Sequence, residues 1–254
     1  MIDPLHQFEI HKLIPFEIGG IDLSFTNASL FMVLTTCVIC LVAHFATQSA
    51  IATNTLVPAR TASGRTQIGL EMLFCFVGSM VKSHVGKEGR AYFPYIFSLF
   101  LFVLGGNLIG LLPYSFTFTS HIIVTFTLAM IVFVGATIAG IVKHGWGFFK
   151  IFLPDGIPLY VAPLLVPVEI ISYLSRPVSL SVRLFANMVA GHVMLKIFAG
   201  FAILLASGLF LPVAILPIVV NTAVTAFELL IAVLQAYVFT ILACIYLNDA
   251  LNLH

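Results

Sequence analysis

The chain has 254 residues, 61% of them hydrophobic and 8% charged, with a formal net charge of +1 and a mean hydropathy of +1.14. Soluble domains carry about 25% charged residues, so this composition excludes a soluble globular domain and calls for an integral membrane protein. The near-zero net charge gives no reason to expect a nucleic-acid partner.

Residues 1–26 are mixed, with Asp3, Glu9, Lys12, Glu17 and Asp22. They read as a segment on the outer side of the membrane, not as a secretory signal, because the apolar run that follows is long enough to remain as an anchor. A spanning helix needs about 20 mostly apolar residues, and 27–47 supplies the first. It contains Cys37-Val-Ile-Cys40, which has redox-motif spacing but no strand–loop setting. These cysteines, with Cys75 and Cys244, read as small packing residues, so no disulfide, metal or cofactor is expected.

Residues 61–83 are different. Leu70, Leu73, Phe74, Val77 and Val81 make one apolar face, while Arg65, Gln67, Glu71 and Lys82 supply polarity. This predicts an amphipathic helix lying on the membrane surface or packed against another subunit. Further spans are predicted at 92–112 and 122–142. Two longer apolar zones follow, 159–207 and 213–247, the second of which would run roughly 50 Å as a helix against a hydrocarbon core of about 30 Å. Either they break at Pro163, Pro167, Pro177, Pro212 or Pro217, or they tilt. Ionisable residues recur through both zones at helical spacing, which favours two long tilted helices. The expected fold is all-α: a polytopic membrane protein with five membrane-embedded helices, one amphipathic surface helix, and a long tilted hairpin at the end.

Loop charge orients the chain. The segment from 60 to 90 carries Arg60, Arg65, Lys82, Lys87 and Arg90 against Glu71 and Glu88, and the loop after the third span has Lys143 and Lys150. The positive-inside rule puts both on the cytoplasmic or matrix side, with the N-terminus outside.

The long zones carry the chemistry. Glu169, Arg176 and Arg183 are spaced by seven, and Asn187 follows Arg183 by four; Asn221, Glu228 and Gln235 repeat the spacing. Seven residues is nearly two turns, so each set lies close to one helix face. An arginine at mid-helix costs roughly 2.5–3.5 kcal/mol on insertion scales and cannot escape by losing its proton. The structural reading pairs Arg176 with Glu169 and Arg183 with Glu228, with Gln235 as hydrogen-bonded glue. The functional reading is an ion path, since carboxylates, arginines, amides and His192 converge on two helices. Glu and His can carry protons. Arg183 can only act as a fixed barrier that attracts a passing carboxylate and drives it to ionise.

The stretch Ser179-Leu-Ser-Val-Arg-Leu-Phe-Ala-Asn-Met-Val-Ala-Gly-His192 resembles the signature of subunit a of F-type ATP synthases. Gly106-Asn107-Leu-Ile-Gly110-Leu-Leu-Pro113-Tyr-Ser-Phe-Thr117, Glu228, Leu234-Gln235-Ala-Tyr-Val-Phe239 and Asp3-Pro-Leu-His-Gln-Phe8 extend the resemblance along almost the whole chain. It implies that Arg183 is the stator arginine separating two aqueous half-channels, that His192 and Glu228 form the polar pair of the outer one, and that Glu169 belongs to the inner one. Asn187 and Gln235 match amides beside the arginine, with Gln235 able to hydrogen-bond its guanidinium. Arg176 joins the same set, and Asn107 and Tyr114 lie towards the outer entry. Many bacterial members have Glu and His in the opposite order at 192 and 228; the exchange seen here resembles mitochondria and their bacterial relatives.

The implied partners are a rotating c-ring with its carboxylate, the peripheral stalk subunit b, the other ATP synthase subunits, protons, water and lipid. The implied site is the bacterial inner membrane, with the mitochondrial inner membrane as alternative. The chain shows no Walker-type glycine loop, so no catalytic site of its own is expected. A secondary transporter would call for related halves with interrupted helices, a cytochrome b-type subunit for facing histidine pairs, and a structural anchor for an Arg183 without a role in proton flow.

Overall fold

The computed structural model describes residues 9–15, 17–18, 21–22, 24–52, 65–86, 88–112, 115–152, 162–206 and 215–252. Six α-helices dominate it: α1 (Asn27–Ala52), α2 (Arg65–His84), α3 (Phe93–Gly110), α4 (Ile122–His144), α5 (Ala162–Ala206) and α6 (Ile215–Leu251). Five helical segments are long and apolar enough to cross a membrane, and α2 is not among them. The protein is therefore an all-α polytopic membrane protein.

The N-terminal segment holds structure that composition does not announce. Short strands β1 (Lys12–Ile14) and β4 (Phe25–Thr26) pair antiparallel, as do β2 (Glu17–Ile18) and β3 (Ile21–Asp22). Asn27 ties this ribbon to α1: its Nδ2 donates to the Glu9 carbonyl at 3.0 Å, and its Oδ1 accepts from the Ala28 amide at 3.0 Å.

Helix α6 is the centre of the bundle. Ala232, Ala236, Phe239, Ala243 and Cys244 are buried at 1% exposure or less, and α6 packs against α2, α3, α4 and α5. Between lipid-facing helices there is little hydrophobic drive, so close backbone approach and van der Waals packing hold the bundle together; the alanine stripe permits that approach. Around it sit Ile96, Phe100 and Val103 from α3, Ala129 and Val132 from α4, and Leu180 and Leu184 from α5. Gly140 of α4 meets the same stripe, because a Cβ there would lie 3.0 Å from the Ala250 carbonyl and 2.5 Å from the Phe148 ring.

Gly106 and Gly110 carry small-residue spacing that suggests helix-on-helix packing. Their neighbours in the structure are instead side chains of the 115–120 segment: a Cβ at Gly106 would meet the Phe118 ring at 2.4 Å, and one at Gly110 would meet Thr117 at 2.6 Å. This segment folds back over the end of α3, with Phe116, Thr117, Phe118, Thr119 and Ser120 all buried.

Helix α5 runs unbroken for 45 residues through Pro167 and Pro177, and α6 for 37. At about 1.5 Å per residue these are roughly 68 and 56 Å long, well beyond a hydrocarbon core of about 30 Å, so tilt or protrusion must absorb the excess. The α2 face that reads as apolar splits in two. Val77 and Val81 are buried with Met80 and Val85 against the bundle, whereas Phe74 is 52% exposed. Cys37, Cys40 and Cys75 are exposed free thiols and Cys244 is a buried one.

Candidate functional site

The two long helices run antiparallel and meet in three polar rungs. At one end Arg176 Nη1 donates to Asp249 Oδ2 at 2.8 Å. In the middle Asn187 Nδ2 donates to Gln235 Oε1 at 2.9 Å. At the other end His192 Nδ1 lies 2.6 Å from Glu228 Oε1. Each step towards the C-terminus of α5 moves the partner towards the N-terminus of α6, as an antiparallel register demands.

That register decides what Arg183 can reach. Interpolating between the first two rungs puts it opposite the 239–242 stretch of α6. Glu228 is eleven to fourteen residues away from there, roughly 16–21 Å along a helix, so the pairing of Arg183 with Glu228 does not form. Arg176 likewise takes Asp249 and not Glu169. It also stacks between two tyrosines, with its guanidinium carbon 5.4 Å from the Tyr173 ring centroid and 5.5 Å from that of Tyr246.

Rotation about the helix axis sets the environment of each group. The bundle-facing stripe of α5 is Pro177, Leu180, Ser181, Leu184, Met188 and His192, all buried. Arg183 precedes Leu184 by one residue, about 100° around the helix, and is exposed. Among the described residues it has no hydrogen bond and no carboxylate partner. Gln235 does not serve it in this structure; its Oε1 accepts from Asn187 instead. An unpaired guanidinium thus stands among exposed apolar residues of α5, with Val182 and Ala186 beside it.

The outer rung is the opposite case. Glu228 is 2% exposed and Thr117 4%. His192 Nε2 lies 3.0 Å from the Gly110 carbonyl and 2.8 Å from Thr117 Oγ1, and Thr117 Oγ1 donates to that carbonyl at 3.0 Å. A carbonyl oxygen can only accept, so Nε2 must carry a hydrogen. The remaining nitrogen, Nδ1, then faces Glu228, and one proton can sit on either side of that 2.6 Å contact. Gly191 makes room for the carboxylate: a Cβ there would lie 2.6 Å from Glu228 Oε1.

Other buried polar atoms lack a hydrogen-bond partner among the described residues: Asn107 Oδ1, Thr119 Oγ1, Asn221 Oδ1, Glu228 Oε2 and Gln235 Nε2. Asn107 Nδ2 is engaged by the Ala232 carbonyl at 3.2 Å. Such groups favour water at their side. Glu169 is half-buried near the start of α5, with no ion-pair partner among the described residues. Tyr114 lies outside the described residues.

Thr117, Gly191 and Asp249 are not singled out by sequence spacing. A signal for Asp249 exists, however. Folding the chain back about a turn near residue 211 brings position 176 opposite the mid-240s, where Asp249 is the acidic residue within a turn. Thr117 closes the 106–117 stretch that carries part of the resemblance, but no spacing marks it as a neighbour of His192, because it belongs to a loop between other helices.

The family model for the ATP synthase A chain matches residues 29–248. The chain is 54% identical over 254 residues to ATP synthase subunit a of Rhodospirillum rubrum, covering all of both chains. It is 53% identical over 253 residues to ATP synthase subunit a of Mesorhizobium japonicum, covering 99% of this chain and 97% of that one. With ATP synthase subunit a of Pelagibacter ubique it shares 51% identity over 253 residues, covering 99% and 98%.

Proposed function

The chain belongs to the ATP synthase A chain family, and on that premise we propose that it is the stator of a rotary ATP synthase membrane sector, lining two proton half-paths against a c-ring. The observation that carries this reading is Arg183, a permanent cation on an exposed apolar face with no counter-charge among the described residues. A lipid-facing arginine of this kind is explained by an anion that arrives from another subunit, and a ring carboxylate is such an anion.

Protons enter from the outer side at the His192–Glu228 pair. With Nε2 committed to Gly110 and Thr117, the pair passes a proton through Nδ1 and the carboxylate, and on to a carboxylate of the ring. That carboxylate crosses lipid while neutral. Facing Arg183 it loses its proton, since a cation within a few ångströms favours the ionised form and does so more strongly in a low dielectric. The proton leaves inwards past Glu169. Arg183 also blocks direct flow between the half-paths, because a hydrated proton meets a fixed positive charge. Asn187 and Gln235, bonded to each other, hold the two helices together beside the arginine, and Asn107, Arg176 and Tyr114 border the path.

Each proton descending the potential releases about 2.3 kcal/mol per 100 mV, so several protons must be summed by rotation for each ATP. Nucleotide chemistry belongs to other subunits, and subunit b of the peripheral stalk keeps this chain from turning with the ring. The alphaproteobacterial relatives support a bacterial inner membrane over a mitochondrial one.

The test is Arg183→Ala in membrane vesicles, with ATP synthesis, ATP-driven pumping and passive proton flux assayed together. Coupled transport is expected to vanish while the complex still assembles. Near-normal synthesis would overturn the mechanism and leave Arg183 a structural residue.

A further inference from the structure

A second cationic feature lies at the opposite end of the bundle from the His192–Glu228 pair. Lys82 and Arg90 line a cavity of about 290 Å³ between the end of α2 and the start of α3, together with Phe74, Gly78, Gly86 and Phe93. Both cations are exposed, and among the described residues neither has a carboxylate partner. The acid nearest in sequence, Glu88, is taken by Lys143, and Glu71 accepts from Gln67 at 2.8 Å on the preceding turns of α2.

The cavity is built into the fold. Gly86 turns the chain with φ +77° and nothing within 4 Å of its would-be Cβ. Gly89 is packed under Val81 and Val85, each 2.8 Å from a Cβ placed there, which pins the turn carrying Arg90. Phe74 and Phe93 meet edge to face with centroids 4.7 Å apart, and Phe93 stacks on Phe97 at 5.6 Å, forming an apolar wall. Ile68, Met72 and Phe74 continue an exposed apolar surface along α2. A cation in the last turn of α2 is favourable to that helix, which explains Lys82 alone but neither Arg90 nor the cavity.

Its position is at the inner membrane boundary. The membrane-crossing segment containing α3 begins at Glu88, and the basic loops lie on the inner side. Trp146, 90% exposed just beyond the end of α4, is where an interfacial aromatic belongs. Two unpaired cations at the water boundary, above an apolar wall that descends into hydrocarbon, match an anionic phospholipid: phosphate above, acyl chains below. We propose that Lys82 and Arg90 hold the headgroup phosphate of an inner-leaflet anionic phospholipid whose chains lie along Phe74, Phe93 and Phe97. A soluble anion would use the cations and leave the aromatic wall unexplained.

The experiment uses the full chain in its native complex and photoreactive phosphatidylglycerol, with labelling of the 74–93 segment read by peptide mass spectrometry. Wild type is expected to label there, and phosphatidylcholine carrying the same photogroup is not. Each basic residue near an anionic lipid contributes roughly fivefold, so Lys82→Gln with Arg90→Gln should cut labelling about 25-fold. Gly78→Leu should also cut it, by filling the cavity with both cations kept, and Lys143→Gln should leave it unchanged. Should Gly78→Leu fail to accumulate, the double glutamine variant decides, since both positions are exposed. Equal labelling of that variant, or equal labelling by phosphatidylcholine, would overturn the proposal. So would displacement by inorganic phosphate, which would indicate a soluble-anion site, or protection by an acidic protein segment of the complex. None of these outcomes depends on proton translocation by Arg183.

Discussion

The outer rung and the middle of the α5–α6 hairpin treat charge in opposite ways. Glu228 and His192 are buried, within 2.6 Å of each other, and backed by Thr117 and the Gly110 carbonyl. Arg183, less than three helical turns away, is exposed and unpartnered among the described residues. A pair that shares a proton can be enclosed, because its net charge need not change as the proton moves between the two groups. A group that must meet an incoming carboxylate cannot be satisfied inside its own chain, since an internal partner would occupy the charge it has to offer.

This contrast is open to being broken by separating function from stability. Arg183→Ala removes no internal bond, so it should abolish coupled transport while shifting the thermal stability of the solubilised chain by no more than about 0.5 kcal/mol. Glu228→Ala should cost both, with roughly 1–3 kcal/mol of stability lost as His192 is left facing a buried gap. Differential scanning of both variants beside vesicle pumping assays checks the dissociation. Equal stability losses would mean that Arg183 has an internal partner after all.

A subtler perturbation keeps every polar group and moves one. Gly191→Ala would push its methyl to 2.6 Å from Glu228 Oε1, and overpacking of this kind costs about 1–3 kcal/mol. Proton flux should fall by roughly tenfold, and Glu228→Asp in the same chain should recover part of it by drawing the carboxylate back.

Thr117 sharpens the comparison further, because its hydroxyl touches both His192 Nε2 and the Gly110 carbonyl that fixes the imidazole hydrogen. Thr117→Val keeps the shape but removes the hydroxyl beside Nε2. Of the two buried hydrogen bonds lost, the one to His192, worth about 1 kcal/mol, predicts a roughly fivefold slower flux. Thr117→Ser should restore the rate and Thr117→Ala should not, which separates a hydrogen-bonding role from a packing one. The smallest effect is expected at the inner rung. The Arg176–Asp249 pair is a quarter to a third exposed, so Asp249→Asn should cost no more than about 1 kcal/mol of stability, measurable as a small drop in unfolding temperature with pumping retained.

Much of the fold was legible because bilayer thickness converts apolar run length into spans, and the register of polar residues at seven marked the two helices that carry chemistry. Pairing was not legible from spacing alone. A seven-residue repeat drifts about 20° per heptad on a 3.6-residue helix, so Glu169, Arg176 and Arg183 share a stripe only loosely, and one residue of rotation separates exposed Arg183 from buried Leu184. The position of Asn187, some 40° round from Arg183 by the same geometry, is what lets it reach Gln235 when the arginine does not.

By itself, then, the sequence determined that the chain must live in a membrane as an all-α bundle, and that its last two helices hold an arginine no lipid would tolerate without reason. Those are consequences of local composition and of the fixed rise of a helix. Only the tertiary structure decided that Arg176 takes Asp249 in place of Glu169, and that the Gly110 carbonyl, with Thr117 beside it, fixes the hydrogen on His192 Nε2. Those contacts depend on the antiparallel register and rotation of packed helices, which side-chain volumes across the whole bundle set together.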